Sequence, residues 1–259
     1  MIKLIYIYII EMNKYDKYYT NKKIMKKCCK IFKKNIKIGK GDLVIEPSAG
    51  NGIFINCIKK YNKILLDIKP ENKLIKKKDF LKYNYKKIKN KYKKIHILGN
   101  PPFGKKGSLA IKFIKKSCEF CDSFSFILPR SFNKYFLKKT VPLNYHLVKY
   151  YNLPDNSFGK PYKKCVFQIW EKRKKRRKII KKIKPNKRYK FVSRKEKPDI
   201  AIRRVGSKSG EIYKKNLENK NINTHYFLKL KKDIKIGKIN LKEKKETIGA
   251  YSISKMELI

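Results

Sequence analysis

Two runs of strand length in this chain stop at turns that neither a helix nor a strand can continue through. Leu43-Val44-Ile45 leads into Glu46-Pro47-Ser48-Ala49-Gly50-Asn51-Gly52, and residues 95–98 lead into Asn100-Pro101-Pro102-Phe103. Proline fixes φ and supplies no backbone N–H, and closely spaced glycines suit a tight turn. Each run is therefore bounded as a buried strand rather than as part of a helix. Amphipathic stretches lie between the strand-like runs. That alternation predicts a mostly parallel sheet with helices on both faces.

Residues 18–35 read as a helix, with Ile24, Cys28, Ile31 and Phe32 at helical spacing behind Thr20 as a candidate N-cap. Gly39 and Gly41 end it, and a strand over 42–46 follows. After the glycine turn the pattern predicts a helix over about 53–60 and a strand over 63–68, closed by Pro70. A weak helix and a short segment lead to Asp79-Phe80, and the Lys-, Tyr- and Asn-rich stretch 81–94 reads as a surface connection. A helix is expected over 108–118, with Ala110, Ile111, Ile114 and Cys118 inward. Strands are expected over 123–128, 145–153 and 165–170, and a helix over 131–137. Late strands without an intervening helix imply an antiparallel hairpin at the sheet edge. Further on, 199–205 and 211–213 flank the turn 206–210 as a hairpin, and 224–230 is another strand.

The chain has 259 residues, enough for one large α/β domain and a small appendage. With 71 Lys+Arg against 19 Asp+Glu its formal charge is +52. Such a field draws polyanions, because neutralising phosphates releases condensed counterions. The chain is also rich in Lys, Ile, Asn and Tyr, whose codons are mostly A and T. Coding bias and selection for nucleic-acid binding account for the excess equally well. The bias suits a large DNA virus or an AT-rich microbe.

Residues 172–184 are almost all basic and mark the domain boundary, reading as a solvated charged face more than as a phosphate-contacting linker. The division expected is an extension over 1–17, a main domain over 18–173, and a basic linker with a small C-terminal α+β module over 174–259. Residues 1–10 are apolar but span half a bilayer and lack a cleavage site, so a further strand or extension is expected, with no membrane segment. The final Ser254-Lys255-Met256-Glu257 is a helix-start pattern with hardly any helix after it, as in a chain that continues. Cys118 and Cys121 have metal-like spacing but no second ligand pair, so no metal site is expected. All six cysteines read as free thiols, which suits a cytoplasmic or nuclear rather than secreted protein.

Taken in order, Tyr18-Tyr19-Thr20, the glycine turn, Asp67, Asp79, Asn100-Pro101-Pro102-Phe103 and Leu128-Pro129-Arg130-Ser131-Phe132 resemble the S-adenosylmethionine-dependent adenine-specific DNA methyltransferases. The likeness runs from Tyr18 to Trp170. It implies a Rossmann-like class I methyltransferase fold with a mostly parallel seven-stranded sheet, an antiparallel edge hairpin and a C-terminal target-recognition module. It implies methyl transfer to the exocyclic N6 amine of an adenine flipped out of DNA.

The resemblance assigns cofactor contacts to Tyr19, Thr20, Glu46, Pro47, Ser48, Ala49, Gly50, Gly52, Asp67, Ile68, Asp79 and Phe80. Gly50 and Gly52 let the backbone approach, Glu46 meets the methionyl ammonium, Asp67 the ribose diol and Asp79 the adenine amine. Tyr19 and Thr20 fold over the cofactor, with Asn21 where the family has proline. Asn100 Oδ1 and the Pro101 carbonyl accept the target amine's hydrogens, Pro102 stiffens the turn, and the base stacks on Phe103. Arg130, Tyr162 and Lys163 are expected on the substrate side.

The same Asn-Pro-Pro-Phe serves enzymes that methylate adenine in RNA, and a related motif methylates a glutamine amide. Serine at position 100 would have pointed to cytosine. DNA is the expected partner, with RNA the alternative. A catalytically silent nucleic-acid-binding protein of this fold is the competing class.

Overall fold

The computed structural model describes residues 20–134, 138–155, 157–158, 164–178, 188–231, 251–255 and 258. The expected extension over 1–17, with Tyr18 and Tyr19, lies outside them. The chain divides into two compact units, Met1–Lys178 and Ile179–Ile259.

The first unit is built on seven strands: β1 (Leu43–Glu46), β2 (Asn62–Asp67), β3 (Lys76–Lys77), β4 (Ile95–Gly99), β5 (Ser123–Pro129), β6 (Tyr145–Asn152) and β7 (Cys165–Lys172). Their order is β3-β2-β1-β4-β5-β7-β6. Neighbours from β3 through β5 are parallel. β7 lies antiparallel between β5 and β6. This is the expected mostly parallel, Rossmann-like seven-stranded sheet, with its antiparallel hairpin at one edge.

Alternate strand residues face opposite layers, as the pleat dictates. Leu43, Ile45, Ile97, Phe124, Phe126 and Trp170 pack on one face with Ala110, Phe113 and Ile114 of α4 (Ser108–Cys118). Val44, Leu98, Ile127, Phe167 and Ile169 pack on the other. There they meet α1 (Lys22–Asn35) and the four-residue α2 (Ile55–Ile58). Both faces are covered, so the central strands are apolar throughout rather than alternating.

Several elements differ from the sequence reading for local reasons. Helix α1 begins at Lys22, capped by Asn21, whose Oδ1 accepts from the Lys23 N–H at 2.8 Å. The residue that departs from the family pattern thus does the capping, and Thr20 is left for another task. The expected helix over 53–60 shrinks to α2, and no helix precedes Asp79, where turns lead through β3. The connection 81–94 carries α3 (Lys86–Lys89), and Tyr83, Tyr85, Ile88 and Tyr92 pack against the core. On α4 the buried stripe is Ala110, Phe113, Ile114 and Ser117, one position round from that expected. Ser117 is accommodated because its hydroxyl donates to the Phe113 carbonyl at 2.7 Å.

Of the helix expected over 131–137, the described part is a short 3-10 turn, Arg130–Asn133, and residues 135–137 lie outside the described residues. A buried polar chain ties it to the sheet: Trp170 Nε1 donates to Gln168 Oε1, Gln168 Nε2 to Asn133 Oδ1, and Asn133 Nδ2 to Asn152 Oδ1. Cys29 and Cys57 are bridged, contrary to the expectation of six free thiols, because α1 and α2 bring their Cα atoms to 5.8 Å. Arg177, from the basic run, is not merely solvated. Its guanidinium lies over Trp170 at 5.2 Å and donates to the Tyr145 and Val141 carbonyls.

The second unit holds β8 (Tyr189–Val192), β9 (Ile200–Arg203), β10 (Ile212–Tyr213) and β11 (His225–Leu230). They form an antiparallel sheet in the order β10-β9-β11-β8. Its core is Ile200, Ile202, Tyr226, Leu228, Ile253 and Leu258.

Candidate active site

The strand order reverses between β1 and β4, and both motif turns leave the sheet there, at the carboxyl ends. Open α/β sheets hold ligands at such a crevice. The two turns are joined. The Ser48 hydroxyl donates to the Asn100 carbonyl at 3.2 Å. Gly99 permits the approach, since a Cβ on it would lie 3.3 Å from Pro47 Cδ and 3.6 Å from Glu46 Cγ. Asn100 Nδ2 donates in turn to the buried Thr20 Oγ1 at 3.3 Å.

The glycine turn is braced on β2. Ala49 N–H donates to the Leu66 carbonyl at 2.9 Å, and Glu71 N–H to the Gly50 carbonyl at 3.0 Å. Gly50, at φ +53°, donates its N–H to Asp67 Oδ2 at 2.7 Å. Asp67 Oδ1 accepts from Lys69 N–H at 2.8 Å. Asp67 therefore pins the turn, and each of its oxygens keeps a further lone pair. A Cβ on Gly50 would meet nothing within 4 Å, whereas one on Gly52 would sit 2.5 Å from Ile55 Cδ1. Gly50 borders open space, while Gly52 serves packing against α2.

Together the turns line a cavity of about 500 Å³, within the range of small-molecule sites. Thr20, Glu46, Pro47, Ser48, Ala49, Gly50, Asp67, Ile68, Asp79, Phe80, Asn100, Pro101, Pro102 and Phe103 all contribute to its wall. Two of the expected residues do not. Gly52 is turned to the packing just described. Arg130 donates through one guanidinium nitrogen to the Leu153 carbonyl at 2.7 Å and to Asp155 at 2.9 Å, so it ties the end of β5 to the segment after β6. Tyr19, Tyr162 and Lys163 lie outside the described residues.

The wall also includes Asn51, Ile53, Phe54, Leu81, Gly104, Lys105, Leu109 and Phe113, to which the sequence reading gave no role in the site. Most of them continue the two motifs by a few positions, and that adjacency was the available signal.

Charge in the cavity is concentrated at Glu46. It is 1 % exposed, and its Oε2 is buried without a hydrogen-bond partner. Burial, and then the neighbouring Asp67 carboxylate, push its pKa well above the usual range. A buried acid with an unsatisfied oxygen on a cavity wall is a receptor for a cationic group. Asp79 caps the 3-10 turn Phe80–Lys82 by accepting from Leu81 N–H at 2.9 Å. Among the described residues no group of three or more potential metal ligands occurs.

No family model matches the sequence, and no curated protein matches it. Solved structures do. A candidate RNA methyltransferase from Pyrococcus horikoshii is 15 % identical over 61 % of this chain and 88 % of its own, with a TM-score of 0.46. A candidate class I S-adenosylmethionine-dependent methyltransferase from Listeria monocytogenes is 14 % identical over 65 % of this chain and 63 % of its own, at 0.45. A type I restriction-modification methyltransferase subunit from Streptococcus thermophilus is 14 % identical over 64 % of this chain and 48 % of its own, at 0.47. The chain thus spans less than two thirds of the last two proteins.

Proposed function

We propose that this cavity binds S-adenosylmethionine and transfers its methyl group to the N6 amine of an adenine turned out of DNA. One observation carries the reading: the Ser48–Asn100 hydrogen bond makes the glycine turn and the Asn-Pro-Pro-Phe turn two walls of one cavity. The side chains fit the cofactor. Glu46 offers a buried, unsatisfied carboxylate oxygen to its ammonium, and Gly50 offers open space. The remaining lone pairs of Asp67 would accept from the ribose hydroxyls, Asp79 would accept from the adenine amine, and Ile68 and Phe80 would supply apolar wall for the ring.

When bound, the cofactor supplies an electrophilic methyl carbon. The chain supplies position and polarity. An aromatic amine is a weak nucleophile because its lone pair is delocalised into the ring. Asn100 Oδ1 and the Pro101 carbonyl hold its two hydrogens, which localises the lone pair on nitrogen for attack. Phe103 presents apolar surface to the base. The base enters only when unstacked. Positioning and preorganised dipoles lower the barrier.

Thr20 acts through Asn100. Thr20 Oγ1 accepts from Asn100 Nδ2, and this arrangement leaves Oδ1 on the other side of the amide. Thr20→Val keeps the shape and removes the acceptor. It is expected to lower kcat about three- to tenfold, the worth of one hydrogen bond, with cofactor Kd unchanged. A raised Kd with unchanged kcat would make Thr20 a cofactor contact instead. Asp67→Ala should weaken cofactor binding more than tenfold by releasing the Gly50 turn, and calorimetric titration that returns the wild-type Kd excludes that role.

The reading as a whole is tested with methyl-labelled cofactor and unmethylated duplex DNA. Label on adenine N6 is expected. Label on RNA alone moves the substrate to RNA, and a protein that binds neither S-adenosylmethionine nor S-adenosylhomocysteine is the silent alternative.

A further inference from the structure

Beyond Phe103 the chain makes a short turn over residues 104–107 before α4. Three of its four residues have left-handed backbone: Gly104 at φ +67°, Lys106 at +55° and Gly107 at +78°. The turn is held on both sides. A Cβ on Gly104 would fall 2.9 Å from the Leu109 backbone nitrogen, and one on Gly107 would lie 3.1 Å from Phe132 Cε2. The Phe103 carbonyl accepts from the N–H groups of both Leu109 and Ala110. Glycine explains two of the three left-handed positions. Lys106 is the exception, and an L-residue there costs about 1 kcal/mol or more. The residue kept at that cost is an exposed cation, and its exposed neighbour Lys105 lines the cavity. Among the described residues neither lysine has an ion-pair partner.

We propose that Lys105 and Lys106, displayed on this left-handed turn, form a phosphate-binding clamp at the mouth of the cavity that grips a nucleic-acid backbone beside the base presented to Asn100. The inference rests on the proposed function and adds which residues hold the substrate's backbone. A base that enters the cavity from a polymer leaves its flanking phosphates outside. Cations on a turn contiguous with Phe103 are placed to meet them. A peptide amide, the other planar acceptor for such a turn, brings no anion to that position. The turn is already ordered by its own packing, so binding does not have to fix its backbone.

The test is fluorescence anisotropy of an adenine-containing single-stranded oligonucleotide, titrated without cofactor across a series of salt concentrations. The double variant Lys105→Gln with Lys106→Gly is expected to bind at least tenfold more weakly near 100 mM salt. Its log–log salt dependence should be less steep by about 1.4, since each phosphate contact on a single strand contributes about 0.7. Lys106→Gly alone should also weaken binding, while its thermal midpoint stays level or rises, because glycine accepts positive φ. That combination separates a ligand contact from a structural one.

Lys63→Gln with Lys94→Gln removes the same charge at the amino ends of β2 and β4, the opposite end of the sheet, and should cost much less. Equal losses in the two double variants would assign binding to the overall field and overturn the clamp, as would wild-type affinity in the mouth variant. Calorimetry with S-adenosylmethionine on the same proteins keeps the two readings apart. Failure of the wild type to bind the cofactor counts against the methyltransferase reading alone. Unchanged oligonucleotide affinity in a mouth variant counts against the clamp alone.

Discussion

Alanine at Asn100 is expected to cut methyl transfer to adenine by about 10²- to 10³-fold while cofactor affinity stays within about twofold. Removing one preorganised group that acts on the reacting centre typically costs this much. The amine loses one of its two in-plane acceptors, so its lone pair drifts back into the ring. Cofactor affinity is spared because Glu46, Asp67 and Asp79 stand on β1, β2 and the turn after β3, not on the Asn100 turn. The Ser48 bond survives as well, since it goes to the backbone carbonyl of residue 100. Single-turnover kinetics read the loss, and calorimetry reads the affinity. Undiminished turnover in Asn100→Ala removes the side chain from the mechanism.

Glutamine at Glu46 is expected to stabilise the unliganded protein and to abolish tight cofactor binding. Burial and Asp67 raise the Glu46 pKa above its ordinary value of 4.5. A folded-state pKa raised above the unfolded one gives stability that is full below about 4.5 and is lost as pH rises through the raised value. Over that window the wild type loses up to about 1.4 kcal/mol per pH unit from this group. Glutamine keeps the shape without the charge, so Glu46→Gln should unfold at higher temperature at neutral pH and show a flatter midpoint-against-pH curve.

Binding reverses the preference. An ammonium beside Glu46 favours the ionised carboxylate, so cofactor uptake below the raised pKa releases a proton and tightens as pH increases. Calorimetry in two buffers of different ionisation enthalpy detects that proton in the wild type and should miss it in Glu46→Gln. A variant that is less stable than wild type and binds the cofactor normally would contradict the assignment.

Much of the architecture was legible because the central strands announce themselves. β1, β4 and β5 are short apolar runs stopped by Pro or Gly, and α4 is bounded as its periodicity predicts. The adjacency of β4 and β5 follows from the βαβ connection through α4, whereas β1 meets β4 only because the sheet order reverses there. Less legible were features set by single side chains reaching across the chain. Asn21 took the cap from Thr20 because its carboxamide reaches the Lys23 amide, which left the Thr20 hydroxyl for Asn100 eighty residues away. No local pattern announces a pairing at that separation.

Arg130 shows the converse. Its position in a motif suggested a substrate contact, yet a neighbouring carbonyl and a carboxylate claim its guanidinium. Gly52 also belongs to packing, because Ile55 fills the space a ligand would need. The Asn51, Ile53 and Phe54 wall and the 104–109 wall were missed because both motifs continue into turns whose direction depends on positive φ at Gly50, Gly52, Gly104 and Gly107.

Whether the union of the two strand-end turns is a methyl-transfer site is tested most directly in DNA itself. The wild-type chain and Asn100→Ala are expressed in a host lacking adenine methylation, and the digested nucleosides are read by mass spectrometry. N6-methyladenine should accumulate with the wild type and be absent with the variant. Equal amounts from both proteins, or none from a wild type shown to bind the cofactor and DNA, would contradict the account.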